Sequence, residues 1–213
     1  MKAVAINRSP RKKMSTKIGN QMMMIRRAAL NVALILLALV AWEVSAQPAL
    51  PAMPIPGEEA ALLSTIFSGN QQWEGIMPAD TMGPGSPELP AQGNVVNMAV
   101  ADKFWFVSDM EVSYGGPQPV MTWRGHLIIG WDESAQAYKG ILADNLGIMV
   151  YLKGVVEGQK LVLTAEKPGI MMGQEVLARF TYDFSNPQSI RFLNEHQING
   201  GPWNVFEEAT LTR

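Results

Sequence analysis

Val120-Met121-Thr122-Trp123-Arg124-Gly125-His126-Leu127-Ile128-Ile129-Gly130-Trp131, closed by Asp132-Glu133-Ser134 and followed by a second alternating run from Ala137 to Asp144, is the stretch that decides the fold. Successive residues of a strand point to opposite faces. Met121, Trp123, Leu127 and Ile129 therefore share one face, and Val120, Thr122, Arg124, His126 and Ile128 share the other. Two such runs joined by a short polar turn read as antiparallel neighbours. The pattern continues in both directions, with strands expected at Gln71–Met77, Asn94–Ala101, Phe104–Val112, Val120–Trp131, Ala137–Asp144, Ile148–Val155, Lys160–Glu166, Met172–Asp183, Ser189–Gln197 and Trp203–Thr212. Gly115-Gly116-Pro117, Asn145-Leu146-Gly147, Glu157-Gly158-Gln159, Ser185-Asn186-Pro187 and Asn199-Gly200-Gly201-Pro202 supply the turn chemistry between them. An open sheet of about ten strands would leave two hydrophobic edges, so closure into an up-and-down antiparallel barrel is expected, the last strand pairing with the first. One short helix precedes the barrel at Gly57–Phe67, with Glu58 and Glu59 at the positive end of its dipole and Leu62, Leu63, Ile66 and Phe67 on one face. Met77–Gln92, carrying four prolines, is the longest irregular stretch.

The amino-terminal part has a different grammar. Eight basic residues precede an apolar run from Ala28 to Trp42, and Val44-Ser45-Ala46 offers small residues before Gln47. That is the order of a secretory signal, expected to cover residues 1–46, and a start at Met24 would give it an ordinary length. The apolar run is shorter than the roughly 20 residues of a membrane span, so no anchor is expected after cleavage. Residues 47–56 form a Pro-rich linker and residues 57–213 the barrel domain. Of the 17 basic residues eight precede Gln47, whereas of the 19 acidic residues only Glu43 does. The exported chain then carries nine basic against 18 acidic groups, a formal charge of −9. Such a balance repels phosphate backbones and argues against a nucleic-acid partner. The absence of cysteine excludes disulfides, thiol catalysis and a lipid-bearing cysteine.

Several short motifs recur along the meander in a fixed order: Gly69 to Gly75 with Trp73-Glu74-Gly75, then Trp123-Arg124-Gly125-His126, Gly130-Trp131-Asp132, Tyr138, Asp144, Lys153-Gly154 and Leu161-Val162-Leu163. Together they resemble the bacterial domain of unknown function 1579 family over about Leu62 to Arg213. The resemblance implies a lipocalin-like, calycin-type barrel with a short helix, and no established activity. The chain departs from that pattern at Leu142-Ala143-Asp144-Asn145, where an aromatic is expected before the aspartate.

Residues that would name a reaction are scarce. His126 and His196 are the only histidines and form no metal-ligand pair. Glu207 and Glu208, being adjacent in a strand, face opposite ways and cannot act as one acid/base couple. Arg191 and Glu195 share a face but stand roughly 13 Å apart at strand rise. Trp73, Gly75, Gly125, Gly130, Trp131, Asp132 and Gly154 read as structural, the glycines allowing bends or close approach and Asp132 closing a turn. No cofactor is expected. What remains is a cavity: a small hydrophobic or amphipathic ligand touching Trp123, Arg124, His126, Arg191 or Glu195, with Arg124 or Arg191 as partner of an acidic head. Burying ~300 Å² of apolar ligand surface would supply roughly 7 kcal/mol before entropic costs. Three other readings stay open: a haem or metal barrel using His126 or His196, an envelope interaction module, and a hydrolase whose carboxylates converge inside.

Overall fold

The computed structural model describes residues 55–213 apart from Met172; the expected signal segment and most of the Pro-rich linker lie outside the described residues. One helix, α1 (Glu58–Ile66), is followed by eleven strands: β1 (Gly69–Met77), β2 (Leu89–Val100), β3 (Trp105–Tyr114), β4 (Met121–Asp132), β5 (Ala137–Asp144), β6 (Met149–Glu157), β7 (Lys160–Ala165), β8 (Gly169–Met171), β9 (Gln174–Asp183), β10 (Ser189–Ile198) and β11 (Trp203–Thr212). Every pairing is antiparallel between chain neighbours, except that β7 pairs with β9 and the three-residue β8 adds to β9 alone. The circle closes where β11 pairs with β1, Trp73 opposite Leu211 and Ile76 opposite Glu208. Ten strands thus form a barrel whose ladder has no free edge between β10 and β1.

Inner-face side chains fill that barrel. Val112, Leu127, Ile129, Leu152, Leu161, Leu163, Phe180, Tyr182, Ile190 and Phe192 belong to one continuous buried cluster, together with Leu63, Ile66 and Phe67 from the helix region. Glycine matters where two walls meet: a Cβ on Gly154 would lie 2.4 Å from Leu163 Cδ2, so the strand can pack there only without a side chain.

The helix closes one end. Its first turn carries Glu58 and Glu59, Phe67 N–H donates to Leu63 O at 2.7 Å, and Ala60, Leu63 and Ile66 are its buried face. A buried relay ties it to three strands: Gln71 Nε2 donates to Ile66 O (3.0 Å), Asn97 Nδ2 to Gln71 Oε1 (2.9 Å), and Ser108 Oγ to Asn97 Oδ1 (2.5 Å). Each side chain of this relay finds a partner, which is what makes such a network tolerable in a core. Turns on this side are short, whereas residues 78–88 and 115–120 join their strands at the opposite end. The longest of these folds on itself, with Asp80 N–H donating to Ser86 O (2.9 Å) and Gly85 N–H to Asp80 Oδ1 (2.6 Å).

Most boundaries differ from the sequence expectation by one or two residues, an extra strand β8 precedes β9, and the larger departures lie around β2 and β3. β2 begins at Leu89, five residues early, because Pro90 sits near the strand start, where its carbonyl still accepts from Gly115 N–H at 2.9 Å. β3 runs on to Tyr114. Between them Ala101, Asp102 and Lys103 take φ of 48°, 54° and 71°, a left-handed 3-10 turn that no glycine announces.

Candidate functional site

The inner wall is not uniformly tight. Next to the helix, Leu63, Ile129, Leu161 and Ile190 are fully buried. Toward the other end the inner-face residues Met121, Trp123, Leu142, Val150, Ala178 and Phe206 are only partly buried, packed on the core from the open side. They lie at the mouth of the barrel, the end away from the helix, where Met77, Ala91 and Tyr114 are by contrast buried.

Beneath the mouth lies a polar group of a kind apolar cores rarely hold. Glu207 is 3 % exposed. Its Oε1 accepts from Trp73 Nε1 at 2.8 Å and its Oε2 from Tyr114 OH at 2.9 Å, so β1, β3 and β11 each contribute one member. Burial raises the Glu207 carboxyl to about 7, against the lowering influence of the two donors. Burial first and the facing carboxylate second push the Tyr114 phenol well above its ordinary value, and Tyr182 is raised in the same order of causes. Directly opposite Glu207 on β10 stands Asn194, whose buried Oδ1 has no hydrogen-bond partner. Two places further along, His196 is 9 % exposed and stacks on Phe206, ring centres 4.1 Å apart. Burial lowers its pKa to about 4, so its imidazole is neutral at physiological pH. A bulge between β10 and β11, where Asn194 pairs with Glu207 but Glu195 with Val205, leaves Phe206 without a ladder partner and free to lie on His196.

Of the five residues singled out in the sequence for a ligand, only Trp123 faces inward. Its indole covers Gly125, where a Cβ would stand 2.3 Å from the ring, and its Nε1 donates to Asp144 Oδ2 at 3.0 Å. The space over Gly125 is therefore occupied by the protein itself. Arg124, His126, Arg191 and Glu195 are on the outer face, as strand alternation from buried neighbours requires. Arg124 pairs with Glu111 (2.7 Å), His126 Nδ1 with Asp109 (2.6 Å), and Glu195 takes both Nε and Nη2 of Arg179 (2.9 and 2.8 Å), whose guanidinium lies over Trp203. Arg191 lines an open outer groove of about 540 Å³ with Glu74, Lys160, Asp183 and Glu208. An acidic head held inside by Arg124 or Arg191 is thus not available to this geometry.

The remaining motif residues have structural surroundings. Trp73 packs on Phe192, ring centres 4.7 Å apart. Gly75 meets Glu208 O and Ala209 across the ladder, and Gly130 lies under the Trp105 ring. Trp131 stacks edge-on to Tyr138, and Asp132 Oδ1 accepts from Ser134 N–H (2.9 Å) and Ala135 N–H (3.1 Å). Among the described residues no three His, Asp or Glu side chains stand close enough to share a metal ion.

Tyr114 and Asn194 carry no signal in the sequence reading, and Glu207 enters it only as the neighbour of Glu208, facing the opposite way. Glu207 shares parity with Ala209 and Leu211, a signal that it faces the core. The bulge at Phe206 obscures it by putting an aromatic on the opposite parity.

A search of curated proteins finds no match. Among solved structures, the crystal structure of Rv2717c from M. tuberculosis is similar at 15% identity and a TM-score of 0.48, over 75% of this chain and 99% of that one. The family profile described as Protein of unknown function (DUF1579) matches residues 56–213, a span that takes in the helix and all eleven strands. The chain therefore belongs to the DUF1579 family.

Proposed function

We propose that this is an exported barrel which holds a small, largely apolar molecule in the half of its interior away from the helix. The observation that carries the reading is the change along the inner wall, from fully buried aliphatics beside α1 to the partly buried Met121, Trp123, Leu142, Val150 and Phe206 toward the other end. Apolar side chains left half-covered at a concave end gain from a ligand that completes their burial, at about 25 cal/mol per Å². A buried carboxyl beside an unpartnered amide oxygen at the floor supplies the few polar points that orient a ligand in such sites. Export is supported by the basic, apolar and small-residue series ending at Ala46.

Titrating the neutral apolar dye N-phenyl-1-naphthylamine tests the cavity. Saturable fluorescence is expected in wild type, and its loss in Ala178→Trp, which fills the mouth. No saturation in wild type, with no small molecule retained in native mass spectrometry of protein from its own host, would overturn the reading. A Soret band with added haemin that disappears in His196→Ala would instead move the site to haem. N-terminal sequencing of protein outside the cytoplasm should begin at or near Gln47; an intact Trp42 there would refute export.

A further inference from the structure

The character of the ligand's polar end follows from which groups the interior leaves unsatisfied, granted that the mouth binds a ligand at all. The indole N–H groups of Trp73 and Trp123 and the hydroxyl of Tyr114 are all engaged by carboxylates. No lysine or arginine among the described residues points inward: Arg124, Lys139, Lys153, Lys160, Arg179 and Arg191 lie on outer positions of their strands, opposite the parity of the buried residues. What the floor holds is one carboxyl group with no cation beside it and, facing it, the amide of Asn194. Each oxygen of Glu207 takes one hydrogen bond and keeps a lone pair, and Asn194 Oδ1 on the facing strand has no donor at all. Trp73 donates to Glu207, Phe180 stands opposite Asn194 on β9, and Phe206 precedes Glu207 in β11.

We propose that the site selects a molecule with a protonated amine at one end of an apolar body, the ammonium seated between the carboxylate of Glu207 and Asn194 Oδ1. An ammonium has three N–H donors and no acceptor, which matches three vacant acceptor positions. Its charge is opposite to that of Glu207, and aromatic faces nearby favour a cation. An alcohol can donate only one hydrogen bond and leaves the orphaned oxygen or the carboxylate unmet. A carboxylate head would meet Glu207 with no cation beside it, an arrangement a buried site penalises heavily. The net charge of the chain after Ala46, nine basic against 18 acidic groups, also draws cations toward it.

Octylamine, 1-octanol and octanoate, which share one chain and differ at the head, test this by displacement of N-phenyl-1-naphthylamine at pH 8. Octylamine should displace the dye at a concentration lower than octanoate by roughly tenfold or more, the scale of a charge-assisted hydrogen bond. In Glu207→Gln the amine-to-carboxylate ratio should collapse toward unity, and in Asn194→Leu it should fall by a smaller factor. Near-ultraviolet circular dichroism confirms that each variant is folded. Dye binding with equal displacement by the three heads, or an amine preference that survives Glu207→Gln, would overturn the assignment while leaving the ligand-binding barrel standing. If the dye does not bind and octylamine leaves the tryptophan fluorescence unchanged, both readings fall.

Discussion

Replacing Glu207 by glutamine should make the protein more stable in alkaline solution and give it, between about pH 4.5 and 6.5, a pH dependence that wild type lacks. Burial raises the carboxyl from 4.5 to about 7 in the folded chain. Between those values the folded state binds a proton that the unfolded state has released, so wild-type stability falls as pH rises. At about 1.4 kcal/mol per pH unit the loss reaches about 3 kcal/mol above pH 7 and vanishes below about pH 4.5. His196 acts in the opposite sense. Its pKa drops from 6.5 to about 4, so its contribution is present above 6.5 and lost as pH falls through 4. Tyr114 and Tyr182, the other titratable groups facing Glu207, are raised and stay neutral across this range. Wild type should therefore show two slopes that nearly cancel between about pH 4.5 and 6.5. Glu207→Gln, keeping an acceptor for Trp73, should leave only the rising histidine slope. Urea unfolding followed by far-ultraviolet circular dichroism at half-unit pH intervals measures both curves. Parallel curves for variant and wild type from about pH 5 to 8 would refute the reasoning, because they would mean that Glu207 is ionised at little cost inside the barrel.

Three further outcomes follow from the same packing. Trp73→Phe leaves Glu207 Oε1 without its donor and should cost about 1–3 kcal/mol in urea unfolding, with a loss under 0.5 kcal/mol counting against the bond. Gly125→Ala drives a Cβ to within 2.3 Å of Trp123, so the indole must leave Asp144; destabilisation of about 1–3 kcal/mol and a red-shifted tryptophan emission are expected. Deleting residues 203–213 removes the strand that joins β10 to β1 and exposes both as edges, so the product should be insoluble, and a folded, monodisperse truncation would contradict closure.

The architecture was legible because a half-buried strand writes its two faces into the chain at a period of two. Ala137–Asp144 and Trp203–Thr212 are bounded in the structure where the alternation and turn residues bound them in the sequence. Pairing of the last strand with the first followed from the cost of bare edges, and the ladder between β11 and β1 closes it. Departures come where backbone geometry is decided by context. Pro90 reads as a loop residue, yet near a strand start its missing N–H does little harm. The left-handed turn at Ala101–Lys103 uses three residues with Cβ atoms at positive φ, a choice that local propensity disfavours and the flanking β2–β3 pairing imposes. β8 is three residues long and rests on β9 alone, too short for a period to register.

The candidate site was less legible, and for a reason that alternation itself explains. Parity divides a strand into two faces without saying which is inside, and arginines within strands were given weight that burial energetics does not support. Arg124 sits beside Glu111 and Arg179 beside Glu195, each pair across neighbouring strands on the solvent side, where opposite charges meet at little desolvation cost. The interior charge is instead an acid, and its position is set by two features that no local window contains. Tyr114 reaches Glu207 across 93 residues of chain and Trp73 across 134, so the pocket of donors exists only after closure. The bulge beside Asn194 then shifts one strand by a residue, so that Glu207 keeps the inner face on which Ala209 and Leu211 lie although Phe206 beside it also turns onto His196. A carboxyl held in this way costs stability once ionised, and nothing in the packing of the helix end requires it. An apolar residue at position 207 would relieve that cost. The presence of glutamate there, facing an amide oxygen without a donor, is the feature on which the proposed binding role rests.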